Sequence, residues 1–153
     1  MKKILTLLLI TTAAGLFAQT NTWSENYTDA VAKAKKSGHY ILLDFSGSDW
    51  CGWCIKLNNE VFSQPEFKAY AEKNLELVLI DKPARRQIPK ETVKQNDALI
   101  QKYNVQGFPT VVILSPNEEL AGYTGYQAGG AVKYVQHIND LISSFKNKKA
   151  SDS

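Results

Sequence analysis

At 153 residues, 44% hydrophobic and 22% charged, the chain is long enough for one domain around a single core. Its 18 Lys and Arg stand against 15 Asp and Glu; without Lys2 and Lys3, which belong to a leader, the balance is 16 against 15, a net charge near +1. That excludes a global electrostatic pull toward nucleic acid.

The first eighteen residues read as a secretory signal peptide. Lys2 and Lys3 form a basic head, Ile4 to Ile10 is an apolar run, and the small residues Ala13, Ala14, Gly15 and Ala18 lead to polar Gln19. The apolar run falls short of the roughly 20 residues a spanning helix needs. Cleavage is placed after Ala18, with no cysteine near it to carry a lipid. The expected product is exported, periplasmic or secreted, with a domain over 19–148 and a disordered tail over 149–153.

Asn21 to Lys36 has helical periodicity through Tyr27, Ala30, Val31 and Ala34, and Ser37-Gly38 supplies the stop. Tyr40 to Phe45 is a strand-like run, apolar apart from Asp44. A glycine-bearing turn, Ser46 to Asp49, delivers Trp50-Cys51-Gly52-Trp53-Cys54 to a helix expected to reach about Val61. Ser63-Gln64-Pro65-Glu66 reads as a capping box opening the next helix, and Leu75 to Ile80 as a second, interior strand. The loop from Asp81 to Glu91 gathers Lys82, Arg85, Arg86 and Lys90 between Pro83 and Pro89. One reading is a solvated basic loop; the other, if the two strands are parallel, is a loop that emerges on the side of the cysteines and helps select a partner. Helical spacing returns from Glu91 to Tyr103. Gly107-Phe108-Pro109-Thr110 then leads into the strand 111–114, and Leu120 to Tyr126 is expected to pair with it as a hairpin. Gly129-Gly130 opens a last helix, and the chain from Lys146 onward reads as a polar, frayed tail.

The two cysteines are the only ones in the chain and lie three positions apart. A Cys-x-x-Cys at a strand-to-helix junction is the signature of a redox-active dithiol. A helix beginning at Cys51 would aim free N–H groups and its positive end at the sulfur, favouring the thiolate. A disulfide closing so short a loop constrains the unfolded chain little, so it is a poor staple. A structural zinc site needs four ligands, and the only histidines, His39 and His137, sit on or beside other elements; neither metal nor cofactor is expected.

These residues now carry a resemblance. Trp50 to Cys54 resembles the W-C-G-x-C of thioredoxins, and Gly107-Phe108-Pro109-Thr110 resembles their G-x-P-T, whose proline is cis. Gly47 to Cys54 and Glu60 to Phe67 are similar to exported thioredoxin-like proteins. The resemblance covers about Trp23 to Phe145. It implies an α/β thioredoxin fold: one mixed sheet, parallel strands plus a C-terminal β-hairpin, flanked by helices.

It also implies a thiol–disulfide oxidoreductase, reducing or isomerising protein disulfides. Cys51 would be the attacking nucleophile and Cys54 the more buried resolving thiol. Pro109 would lie against them, with Phe108 pairing its backbone with substrate. The aromatic residues Trp23, Trp50, Trp53 and Phe108 are themselves candidates for an apolar rim around the dithiol, with core packing of the first helix as the other reading of Trp23. Asp44 would be the buried acid that relays a proton to the second cysteine; the alternative is an acid capping a turn. Seven positions separate Asp44 from Cys51, one more than in thioredoxin, so a bulge or longer turn must absorb the difference. Leu77 is expected where thioredoxin has a lysine beside that acid. The implied partners are disulfide-bearing exported proteins and a membrane or periplasmic thiol electron donor, met by a monomer. The other reading is a binding module that keeps the fold around an inert disulfide.

Overall fold

The structure is a computed structural model and describes residues 22–152. The leader and its cleavage point lie outside the described residues. The elements run α1 (Tyr27–Ser37), β1 (Tyr40–Ser46), α2 (Gly52–Leu57) continuing through a wider π-type turn (Asn58–Phe62), then α3 (Pro65–Asn74), β2 (Leu75–Asp81), α4 (Lys90–Lys102), β3 (Thr110–Leu114), β4 (Leu120–Thr124) and α5 (Gly130–Ser151). Four strands form one mixed sheet in the order β2-β1-β3-β4. β1 lies parallel to β2 and antiparallel to β3, and β4 returns antiparallel as the hairpin partner.

Strand alternation sorts the core into two layers. Leu42, Leu77, Val111 and Ile113 share one buried cluster with Phe62, Phe67, Tyr134 and Ile138, beneath the π-type turn, α3 and α5. Ile41, Leu43, Phe45, Val78, Ile80, Val112 and Leu114 share the other with Ala30, Val31, Ala34 and Leu99 of α1 and α4. A run apolar at nearly every position thus becomes a central strand covered on both faces.

The ends of the elements follow local chemistry. The Asn26 side chain accepts from the N–H of Asp29 to cap α1, which therefore starts later than the periodicity from Asn21 implies. Gly38, at φ 78°, closes it in the left-handed region that favours glycine. The expected capping box before α3 does not form: Gln64 is the N-cap, without a side-chain bond, and Pro65 takes the first helical position. α5 runs through the polar segment to Ser151, past the point where fraying was expected, and Lys149 Nζ meets both Glu119 carboxylate oxygens at 2.8 and 2.6 Å.

Ahead of α1, Ser24 lies against the outer edge of β2. Its N–H donates to Leu77 O and its carbonyl accepts from Leu79 N, each at 2.9 Å.

Candidate active site

β1 stays regular through Ser46, which is still in register with Asp81 of β2. The extra residue between Asp44 and Cys51 is therefore absorbed in the turn, not in a strand bulge. There the N–H groups of Trp50 and Cys51 both donate to Gly47 O, at 3.1 and 2.8 Å. Gly47 is needed because the Trp50 indole lies directly over it, where a Cβ would overlap the ring.

Cys51 is the N-cap of α2, and its Sγ accepts from the N–H of Cys54 at 3.2 Å. One orphan donor of the helix's first turn thus points at the sulfur expected to act first. The cysteines are joined as a disulfide with their Cα atoms 5.2 Å apart. Both residues are nearly covered, so exposure does not separate their roles. Position does: Cys51 stands at the helix start, whereas Cys54 faces inward onto a cavity of about 340 Å³ with Asp44, Ser46, Ser48, Asn58 and Trp23.

Asp44 lies on the face of β1 shared by Leu42 and Ser46. Its register neighbours are Leu79 on β2 and Val111 on β3. Leu77 lies two residues before Leu79 on the same face of β2 and pairs with Leu42. At 7% exposure, with Oδ1 lacking any hydrogen-bond partner, Asp44 does not cap a turn. Burial, helped by the negative Asp81 nearby, pushes its carboxyl up to about 7.

The Phe108–Pro109 peptide is cis. Thr110 pairs with Phe45, so Pro109 sits at the end of the sheet from which the cysteine turn departs. The Phe108 ring meets Trp50 at 6.1 Å between centroids. Trp50 and Trp53 are 51% and 57% exposed, a high value for indoles and one that leaves two apolar faces at the dithiol's mouth. Trp23 packs on Phe62 at 5.0 Å and lines the Asp44 cavity; it precedes the first helix.

Sequence reasoning missed the groups that hold this end together. Asp49 accepts from the backbone N–H groups of Ala84, Arg85 and Arg86 at 2.8, 2.7 and 3.2 Å, and these bonds hold its carboxyl below the usual range. Trp50 Nε1 donates to Lys82 O at 2.7 Å. Buried Asp81 accepts from Ser48 N, Ser48 Oγ and Arg86 Nη2 at 2.9, 2.6 and 2.8 Å. On the other flank, Trp53 lies 5.1 Å from Tyr126, and Lys56 Nζ sits 5.1 Å from each ring. Tyr126 donates in turn to Glu60 at 2.6 Å. Only the turn acid Asp49 carried any signal, since Asp at the head of a helix is a common acceptor of free N–H groups.

Residues 27–139 match the thioredoxin-like domain family. The chain belongs to the thioredoxin-like family. It is similar to the disulfide bond reductase DsbH of Chlamydia pneumoniae, 33% identical over 125 residues that make up 82% of this chain and 75% of that protein. It is also similar to the thioredoxin-related protein DsbJ of the same organism, 32% identical across 93% of this chain but only 44% of that longer protein. Among solved structures, a DsbH oxidoreductase superposes with a TM-score of 0.77 at 29% identity, covering 90% of this chain and 95% of the other. A thioredoxin from Thermus thermophilus, at 20% identity and a TM-score of 0.59 over 80% of this chain and 88% of its own, shows the shared fold. These family relationships and the joined Cys51–Cys54 pair support a thiol–disulfide redox role. Among the described residues no helix is long and apolar enough to cross a membrane.

Proposed function

We propose that the chain is an exported thiol–disulfide oxidoreductase that reduces disulfides in other exported proteins. The observation that carries this reading is the placement of the pair: Cys51 at the cap of α2, under the N–H of Cys54, with Cys54 open to the cavity of Asp44. The similarity to DsbH, a disulfide bond reductase, supports the direction of electron flow.

In the reduced protein the Cys51 thiolate attacks one sulfur of a substrate disulfide. The other substrate sulfur leaves as a thiolate, and a mixed disulfide joins Cys51 to the substrate. Asp44, as carboxylate, takes the proton of the Cys54 thiol through the cavity. The Cys54 thiolate then attacks Cys51 Sγ and expels the second substrate thiolate. Two electrons pass to the substrate, and the protein is left with the Cys51–Cys54 disulfide. An exported dithiol donor must reduce it again by the same exchange. Trp50, Trp53 and the Phe108–Pro109 backbone receive the substrate segment as an added strand against an apolar rim.

The test is the equilibrium reduction potential of the pair in thiol buffers. A value near thioredoxin's roughly −270 mV supports an electron donor. One near about −180 mV would replace reduction by isomerisation, and a pair still oxidised well below about −300 mV would overturn the enzyme reading.

A further inference from the structure

The loop 82–90 carries four cations, and the structure divides them. Lys82 Nζ is bound to Asp97 at 2.6 Å, and Arg86 Nη2 bridges Glu25 and Asp81 at 3.0 and 2.8 Å. Those two cations hold the loop in place. Lys90 starts α4, on the far side of Pro89 from the clamped segment. Arg85 differs from all three. Its backbone N–H is fixed on Asp49 at 2.7 Å, two residues from Cys51, while its exposed guanidinium has no hydrogen bond or ion pair among the described residues.

The acid nearest the dithiol in sequence leaves that guanidinium free. Both Asp49 oxygens are turned onto backbone N–H groups, so they anchor Arg85 without neutralising it by contact. On the opposite flank Glu60 is taken up by Tyr126 and Lys56. An unpaired guanidinium on a loop whose backbone is bonded to Asp49, two residues from Cys51, is suited to a planar carboxylate, which it can bind through two parallel hydrogen bonds. Because its backbone is already held, only the rotamers of the side chain itself are left to be ordered on binding.

We propose that Arg85 is a specificity-determining contact, held beside the dithiol by Asp49 to receive a carboxylate that flanks the disulfide of the partner protein. This rests on the pair being the reacting group, so the test separates recognition from electron transfer. Two cyclic peptides are compared in which a thioether replaces the disulfide, one with Asp and Glu flanking the bridge and one with Asn and Gln. Binding to the full chain is read by fluorescence anisotropy at low salt. The acidic peptide should bind about fivefold tighter or more, and 0.5 M salt should remove most of that preference. Arg85→Gln should reduce the preference to less than about twofold and Arg85→Glu should invert it, with Lys36→Gln, at the other end of β1, leaving it unchanged. Equal binding of both peptides, absence of binding, or a preference that survives Arg85→Glu would overturn the proposal. Reduction of the true disulfide versions, measured alongside, reports on the redox reading independently.

Discussion

Asp44 and Cys54 open onto the same cavity, although one belongs to the centre of β1 and the other to the first turn of α2. The acid brings no cation with it: the register neighbour on β2 is Leu79, and the nearest charge acting on it is the like charge of Asp81.

That relationship has a measurable sign. The Asp44 carboxyl titrates near 7 folded and near 3.8 unfolded, so the folded chain holds the proton more tightly. Its contribution to stability is full below about pH 4 and is lost as pH rises through about 7, a change on the order of 4 kcal/mol. Asp44→Asn should remove this slope. Urea unfolding of the oxidised protein at pH 4, 6 and 8.5 checks it: the difference between wild type and variant should move steadily toward the variant as pH rises. The same substitution should slow resolution of the mixed disulfide near neutral pH.

Removing either sulfur separates the two chemical steps. Cys51→Ser should abolish insulin-type disulfide reduction and trap no substrate. Cys54→Ser should leave a mixed disulfide with substrate, visible on a non-reducing gel. A covalent complex in Cys51→Ser, with none in Cys54→Ser, would reverse the order of attack.

Asp49→Ala deletes the acceptor for three consecutive loop amides. Hydrogen exchange at Ala84, Arg85 and Arg86 should quicken roughly tenfold, while the amides of β1 keep their protection. Asp49→Asn, which retains one carbonyl acceptor, should fall between the two. Exchange of all three amides at wild-type rates in the alanine variant would show that the loop is held by Asp81 and Trp50 alone.

Tyr126 fixes the indole that stands between the cysteines. Tyr126→Leu removes the ring from Trp53 and half of the cradle around Lys56, and should raise KM for protein substrates several-fold with kcat nearly unchanged, as expected for loss of uniform binding. Tyr126→Phe keeps the ring contact but loses the bond to Glu60, and should stay close to wild type. In a Trp23→Phe, Trp50→Phe background, Trp53 fluorescence reports the same difference directly.

The architecture was legible because its signals are local. The apolar runs of β1 and β2, the glycine stop at Gly38 and the two motifs in their order identify the elements and their arrangement. The capping box was misread because Ser63 is taken up by closing the π-type turn, its N–H bonded to Asn58 O and Val61 O, so the cap falls to Gln64. Which residue of β2 lies opposite Asp44 was not legible because strand register is decided across the sheet; Leu77 and Leu79 lie on the same face, so the apolar pattern does not tell them apart. The clamp of Asp49 on residues 84–86 was invisible for a related reason. It joins backbone groups 35 to 37 positions away, which no side-chain pattern marks.

The short bridge made by Ser24 bears on how the molecule behaves in a crowd. A four-stranded open sheet presents two borders to which a foreign strand can add. On the β2 border the N–H and carbonyl of Ser24 already take the carbonyl of Leu77 and the N–H of Leu79, so a stranger would have to displace the chain's own backbone. The other border is β4, five residues long, with a register shift opposite Ile113 and Leu114. Among the described residues, one border of the sheet is thus occupied at Ser24 and the other is short and irregular, and both features oppose the addition of a foreign strand.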